Sequence, residues 1–238
     1  MMRAANFGAN FGKGSPRSRF ASCLLAVALC PSLPAASLAT GFGAYFEYVH
    51  AEGEIDPGLP NSGDADFDAN KYGFGFALDT NLAEDRLFNY RLNLGFQHTN
   101  RHFDDFAFQG NVFDLGHIDA NGVNLNNAFG FGIWRGQNHR LWLGPSIRVA
   151  VDVYDTNDSN IDIVDVSAGG GAALGLNLHA GRNVTIGLTA GYQYLAVSEI
   201  VYIDPDFGND DTRTFDGHEH LVTANVTIFF RTRGDQYR

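Results

Sequence analysis

The sequence predicts an all-β fold, an eight-stranded antiparallel up-and-down barrel, on three observations. Apolar residues alternate with polar or small ones through eight successive stretches, the mark of strands with one apolar face. The connections between these stretches alternate between long and short, as they do when consecutive strands are neighbours. The composition combines 28 Gly with 20 Phe, which suits strands and tight turns and disfavours helix interiors. With 238 residues, 45% of them hydrophobic, the chain can bury a folded body. Its formal charge of -11 argues against nucleic acid as a partner, because that needs a basic stripe to displace counterions.

Residues 1–39 read as an export signal. Arg3, Lys13, Arg17 and Arg19 precede an apolar run from Phe20 to Leu29 that is interrupted at Ser22 and Cys23. Small residues at Ser37 and Ala39 place the cut before Thr40, with a site after Ala36 as second choice. Pro31 and Pro34 end the run well short of the roughly 20 apolar residues a membrane helix needs. Cys23 and Cys30 both leave with the signal, so the mature chain is expected to hold no disulfide and no cysteine metal site. Removal also leaves 12 basic against 27 acidic residues, a mature charge of -15.

The strands follow in order from Gly41. The first carries Phe42, Ala44, Phe46 and Tyr48 on one face, and the second Tyr72, Phe74, Phe76 and Leu78. The third carries Phe88, Tyr90, Leu92, Leu94 and Phe96, and the fourth Val123, Leu125, Phe129, Phe131 and Ile133. The fifth presents Leu141, Leu143, Ile147, Val149 and Val151 around Pro145, and the sixth Ala168, Ala172, Leu174, Leu176 and Leu178. The seventh has Val184, Ile186, Leu188, Ala190, Tyr192 and Tyr194, and the last Val222, Ala224, Val226, Ile228 and Phe230. Segments 51–70, 99–117, 152–165 and 196–217 are expected to be loops at one end, and 81–87, 135–139 and 179–183 short turns at the other.

The opposite face of these strands is small or polar, with Glu47, Asp79, Asn89, Arg91, Asn93, Gln97 and Arg148 among its members. Such a face cannot form a soluble core, so the greasy face is expected outside, solvated by lipid, making the barrel transmembrane. Each stretch has about ten alternating residues, enough for a tilted strand to cross a bilayer. Phe42, Tyr48, Tyr72, Phe88, Tyr90, Trp134, Tyr192, Tyr194 and Phe230 would then form aromatic girdles at the two interfaces.

Signal, cysteine-free body, eight strands and alternating loop lengths together resemble the small outer-membrane β-barrels of Gram-negative bacteria, of the OmpA, OmpX and OmpW type. The resemblance covers residues 41–231, giving a signal at 1–39, a barrel at 40–231 and a short periplasmic tail at 232–238. It implies residence in the cell outer membrane, with lipid and lipopolysaccharide around the barrel and the barrel assembly machinery as partner during insertion. That family ends on an aromatic residue of the last strand. Here Phe230 matches, but Arg231 to Arg238 continue past it. A monomer with a structural or surface-interaction role, porin-like in build, is the expectation. No cofactor is expected.

Three groups of polar residues are candidates for function. Glu47, Asp79, Arg91, Asn126 and Arg148 are expected to form a polar network inside, packed by Tyr45, Trp142 and Phe229. The turn at 81–87 puts Asp79 opposite Asn89, and the turn at 135–139 puts Asn126 opposite Arg148. Inward glycines either relieve crowding or leave a narrow lumen for a small solute, a channel being the alternative function. The four long segments hold 20 of the 27 acids, and in them Asp64, Asp66, Asp68, Asp210 and Asp211 offer carboxylates for a divalent cation. The spacing of the first three begins like an EF-hand, but Ala69 replaces its glycine, and a solvated acidic loop is the stronger reading.

Some barrels of this type modify lipid A with His and Ser near the rim, which makes His98, His102, His117, His218 and His220, with Ser198 and Ser159, the residues to weigh. Nothing in their spacing brings a nucleophile to a base, so no enzyme is expected. Between Asn100 and His117, the apolar residues Phe103, Phe106, Phe108, Val112, Phe113 and Leu115 flank the turn signal Gly110-Asn111. A projecting ribbon that could meet an extracellular ligand is expected there.

Overall fold

The computed structural model describes residues 39–56, 64–80, 88–103, 106–108, 111–113, 116–155, 161–181, 183–203 and 211–231. The strands are β1 (Ala39–Asp56), β2 (Ala65–Thr80), β3 (Phe88–Phe103), β4 (Phe106–Phe108), β5 (Asn111–Phe113), β6 (His117–Arg135), β7 (His139–Asp155), β8 (Ile161–Ala180), β9 (Val184–Ile203) and β10 (Asp211–Arg231). Eight of them close a ring in the order β1-β10-β9-β8-β7-β6-β3-β2, every neighbour antiparallel. Closure leaves no unpaired edge. Strands β4 and β5 pair only with each other, Phe106 opposite Phe113, as the expected ribbon requires.

Pleating sends alternate side chains to opposite sides of the ring. Outside stand Phe42, Phe46, Tyr48, Phe74, Phe76, Phe96, Ile147, Val226 and Phe230, all exposed. Inside stand Glu47, Asp79, Asn89, Arg91, Asn93, Gln97 and Arg148, all buried. From Phe88 to Phe96 the apolar outer face runs nine residues. At about 3.3 Å per residue and a tilt near 40° that is roughly 23 Å of height, close to the hydrocarbon band of a membrane.

The strands are longer than the alternation predicted, and the physical reason is an inversion along them. On β1 the outward residues past Tyr48 are His50, Glu52 and Asp56, whereas the inward ones are Val49, Ala51 and Ile55. The pleat keeps its parity while the apolar side moves from outside to inside. In this upper storey Val49, Ala51, Ile55, Ala65, Phe67, Ala69, Phe103, Leu195 and Leu221 pack as an ordinary buried core. Most of 51–70, 99–117, 152–165 and 196–217, expected as loops, is therefore ladder. Phe103, expected in the ribbon, is inside with its ring 6.0 Å from that of Phe67.

One register differs as well. Asp79 stands opposite Arg91, not Asn89. A two-residue slip leaves every side chain on its own face, so period-two patterning cannot choose between the two registers. The observed one puts a carboxylate beside a guanidinium and sets Phe74 opposite Phe96. Asn126 faces Arg148 across β6 and β7, as expected.

Candidate functional site: the filled barrel interior

The interior is a column of buried ion pairs separated by large packed side chains. At the short-turn end, Arg91 Nε donates to Asp79 Oδ2 at 2.9 Å, Nη1 to Thr189 Oγ1 at 2.9 Å and Nη2 to Asn177 Oδ1 at 2.6 Å. The same guanidinium lies 4.8 Å from the Phe229 ring centre and 5.1 Å from that of Trp142. Both rings are fully buried. Glycine makes room for them, since a Cβ at Gly175 or at Gly130 would overlap the Trp142 indole. Gly175→Ala is accordingly expected to cost about 1–3 kcal/mol of overpacking strain, read as a lower urea midpoint.

One storey higher, Arg148 Nη1 donates to Glu47 Oε1 at 2.7 Å and Nη2 to Gln97 Oε1 at 3.0 Å. Gln97 also donates to both Asp152 oxygens, at 2.7 and 2.9 Å. Asn124 donates to Gln97 Oε1 at 3.0 Å and accepts from the Tyr45 hydroxyl at 2.9 Å. Glu47 and Arg148 thus meet, as do Asp79 and Arg91. Asn126 joins neither pair through a described bond but accepts from Gln193 Nε2 at 3.3 Å. The expected single network is two centres.

Two further centres lie higher in the barrel, one just outside the segments expected as loops and one within them. Lys71 Nζ donates to Glu219 at 2.7 and 3.0 Å. Arg101 Nη1 donates to Glu199 Oε2 at 2.9 Å and Nη2 bonds Asp165, while the Phe67 and Tyr154 rings lie 4.3 and 4.6 Å from its guanidinium carbon. Parity could have found these residues. Lys71 lies two before the inward Gly73, and Arg101 lies four after the inward Gln97. Asp152, Asp165 and Glu199 are buried and so do not belong to an acidic loop surface.

Between the Arg91 and Arg148 centres is a polar cavity with about 20 Å³ open to the centre of a water molecule, lined in part by Glu47, Arg91, Asn93, Gln193 and Asn225. Asn93, Gln193 and Asn225 each have a polar atom with no protein partner. Roughly 10–15 Å³ holds one water, so this space suits a buried water and is far too small for a solute path.

The other candidates sit outside the ring. The girdle residues Phe42, Tyr48, Tyr72, Phe88, Trp134, Tyr192, Tyr194 and Phe230 are exposed, and Tyr90 is half-buried with its hydroxyl on Asn127. Asp64, Asp66 and Asp68 are exposed on or beside β2. Asp211 begins β10, which β1 separates from β2 in the ring, and Asp210 lies outside the described residues. His98, His102, His117, His218 and His220 all point outward in the upper storey. His102 stacks on His117 at 4.3 Å between ring centres, and His218 Nδ1 is 3.3 Å from Glu54 Oε1. Ser198 faces Val166 and Asp216 across its ladders. Ser159 and the segments 1–38 and 232–238 lie outside the described residues.

No protein-family model matches the chain, and no curated protein matches it. Solved structures do. Neisserial surface protein A is 15% identical over 77% of this chain and 96% of its own, with a TM-score of 0.31. A major outer membrane protein from Thermus thermophilus is 15% identical over 79% and 98%, with a TM-score of 0.45. Ail of Yersinia pestis, solved with the heparin analogue sucrose octasulfate, is 10% identical over 80% and 98%, with a TM-score of 0.34. What the chain shares with these small outer-membrane barrels is a ring of eight antiparallel strands.

Proposed function

We propose that the chain is a monomeric outer-membrane β-barrel with a structural and surface-interaction role, neither a channel nor an enzyme. The observation that carries this reading is the filled lumen. Four buried cationic side chains, Arg91, Arg148, Lys71 and Arg101, each meet a carboxylate. Trp142 and Phe229 fill one end, and the apolar core around Val49 and Phe67 fills the other. Removing any of these charges from its partner is costly, so the column has no low-energy way to part for a solute.

The exposed apolar band supports lipid as the surrounding solvent, because a contiguous belt of Phe, Leu, Ile and Val in water would drive association. In this reading the storey with polar outside and apolar inside rises out of the membrane. It carries the outward His, Asp and Glu residues and the β4–β5 ribbon toward lipopolysaccharide or an extracellular ligand.

The deciding experiment is a planar-bilayer recording on the refolded full-length barrel. The expected result is no discrete conductance step at any voltage that leaves the bilayer intact. A reproducible unitary conductance would replace the scaffold with the narrow channel. Lipid A from cells with and without the protein should have the same mass spectrum, and a changed acyl pattern would make the protein an enzyme.

A further inference from the structure

We propose that His50, Glu52 and Asp68 form a binding site for a divalent transition-metal ion of the zinc class on the outer face of the barrel, where β1 pairs with β2. A donor atom from each residue lies within 4.8 Å of the other two. His50 and Glu52 are outward neighbours two apart on β1, and Glu52 stands opposite Asp68 in the β1–β2 register. The rigid ladder therefore supplies all three ligands without a loop. Zinc holds nitrogen and oxygen ligands at about 2.0–2.2 Å, so two ligands at the tetrahedral angle are roughly 3.4 Å apart. His50 Nε2 and Glu52 Oε1 are separated by 3.4 Å.

The neighbouring side chains decide how the imidazole is used. Asn70 Oδ1 accepts from the Tyr48 hydroxyl at 2.7 Å. His50 Nδ1 lies 3.4 Å from the same oxygen. With Nδ1 against the Asn70 side chain, Nε2 is the nitrogen turned toward the Glu52 carboxylate. An imidazole whose second nitrogen faces a side-chain oxygen is the usual arrangement of a metal-bound histidine. One imidazole with two carboxylates suits zinc better than calcium or magnesium, which take oxygen alone, and a water completes four-coordination.

The site lies just past Tyr48 and Tyr72, where the outer surface turns from apolar to polar. A bound ion would join the first two strands of the ring at that boundary. His220 stands opposite Glu52 and His102 opposite Asp68, so other imidazoles are near, and the test must separate this site from them.

The test is calorimetric titration of ZnCl2 into the metal-stripped full-length barrel, folded in detergent at neutral pH. The wild type is compared with His50→Asn, Asp68→Asn and the control His98→Asn, with folding of each verified by its β-sheet circular dichroism. The expected result is that His50→Asn and Asp68→Asn each bind one equivalent fewer than the wild type, while His98→Asn binds as many. Equal stoichiometry in the wild type and both site variants overturns the proposal, as does a wild type that binds no Zn2+. Both changes are at outward positions, so neither variant is expected to misfold, and either one alone decides the outcome.

Discussion

Arg101→Leu is expected to destabilise the barrel by about 3–5 kcal/mol, the largest effect of any single substitution considered for this chain. Arg101 is fully buried and donates to both Asp165 and Glu199. Leucine fits the surrounding Phe67, Phe103 and Tyr154 rings but leaves two carboxylates without their cation in a site closed to water. The measurement is the urea midpoint of the barrel refolded into detergent or lipid vesicles. The triple change Arg101→Leu, Asp165→Asn, Glu199→Gln should recover most of the loss, because the penalty comes from unpaired charge and not from the missing bond. A single variant as stable as the wild type would mean that this storey is hydrated, and the filled-lumen reading would fail with it.

The second large effect is on the opposite face. Phe76 is 78% exposed, midway along the apolar outer face of β2 between Tyr72 and Leu78. If lipid surrounds the ring, Phe76→Arg places a guanidinium near the bilayer midplane at a cost of about 2–4 kcal/mol. The same change at Glu52, four residues past Tyr48 at the end of the apolar face of β1, should stay within about 0.5 kcal/mol. Stability is read by denaturant titration in phospholipid vesicles. A barrel of this build whose apolar face met water or a protein partner would show no such dependence on position along the strand, so equal effects at the two sites would count against the membrane location.

How much of the interior could be read from sequence depended on where the apolar alternation stopped. Asp79, Arg91, Glu47 and Arg148 fall within the stretches where greasy and polar residues alternate, and counting by two put them inside. Lys71, Arg101, Asp165, Glu199 and Glu219 lie where the apolar side changes from outside to inside, and there the same rule stops being visible although the strand goes on. The outer girdle was readable for a related reason, since Phe42, Tyr72 and Phe230 differ from their inward neighbours in both size and polarity. His50 gave no signal at all. A lone histidine two residues from a glutamate becomes a candidate ligand only once β2 sets Asp68 and Asn70 alongside.

By itself the sequence determined the number of barrel strands, their antiparallel order and the face each residue takes in the apolar storey, because a period of two is a local property of a pleated chain. Only the tertiary structure decided which charges meet. Lys71 reaches Glu219 across 148 residues and Arg148 reaches Glu47 across 101, contacts that exist because the ring closes. It also decided the register of Asp79, since a slip of two residues preserves every face and changes only the partner. The upper storey belongs to the same class. Counting by two from Gly73 or Gln97 puts Lys71 and Arg101 inside, but which carboxylate each meets depends on what stands across the barrel, and no local pattern carries that information.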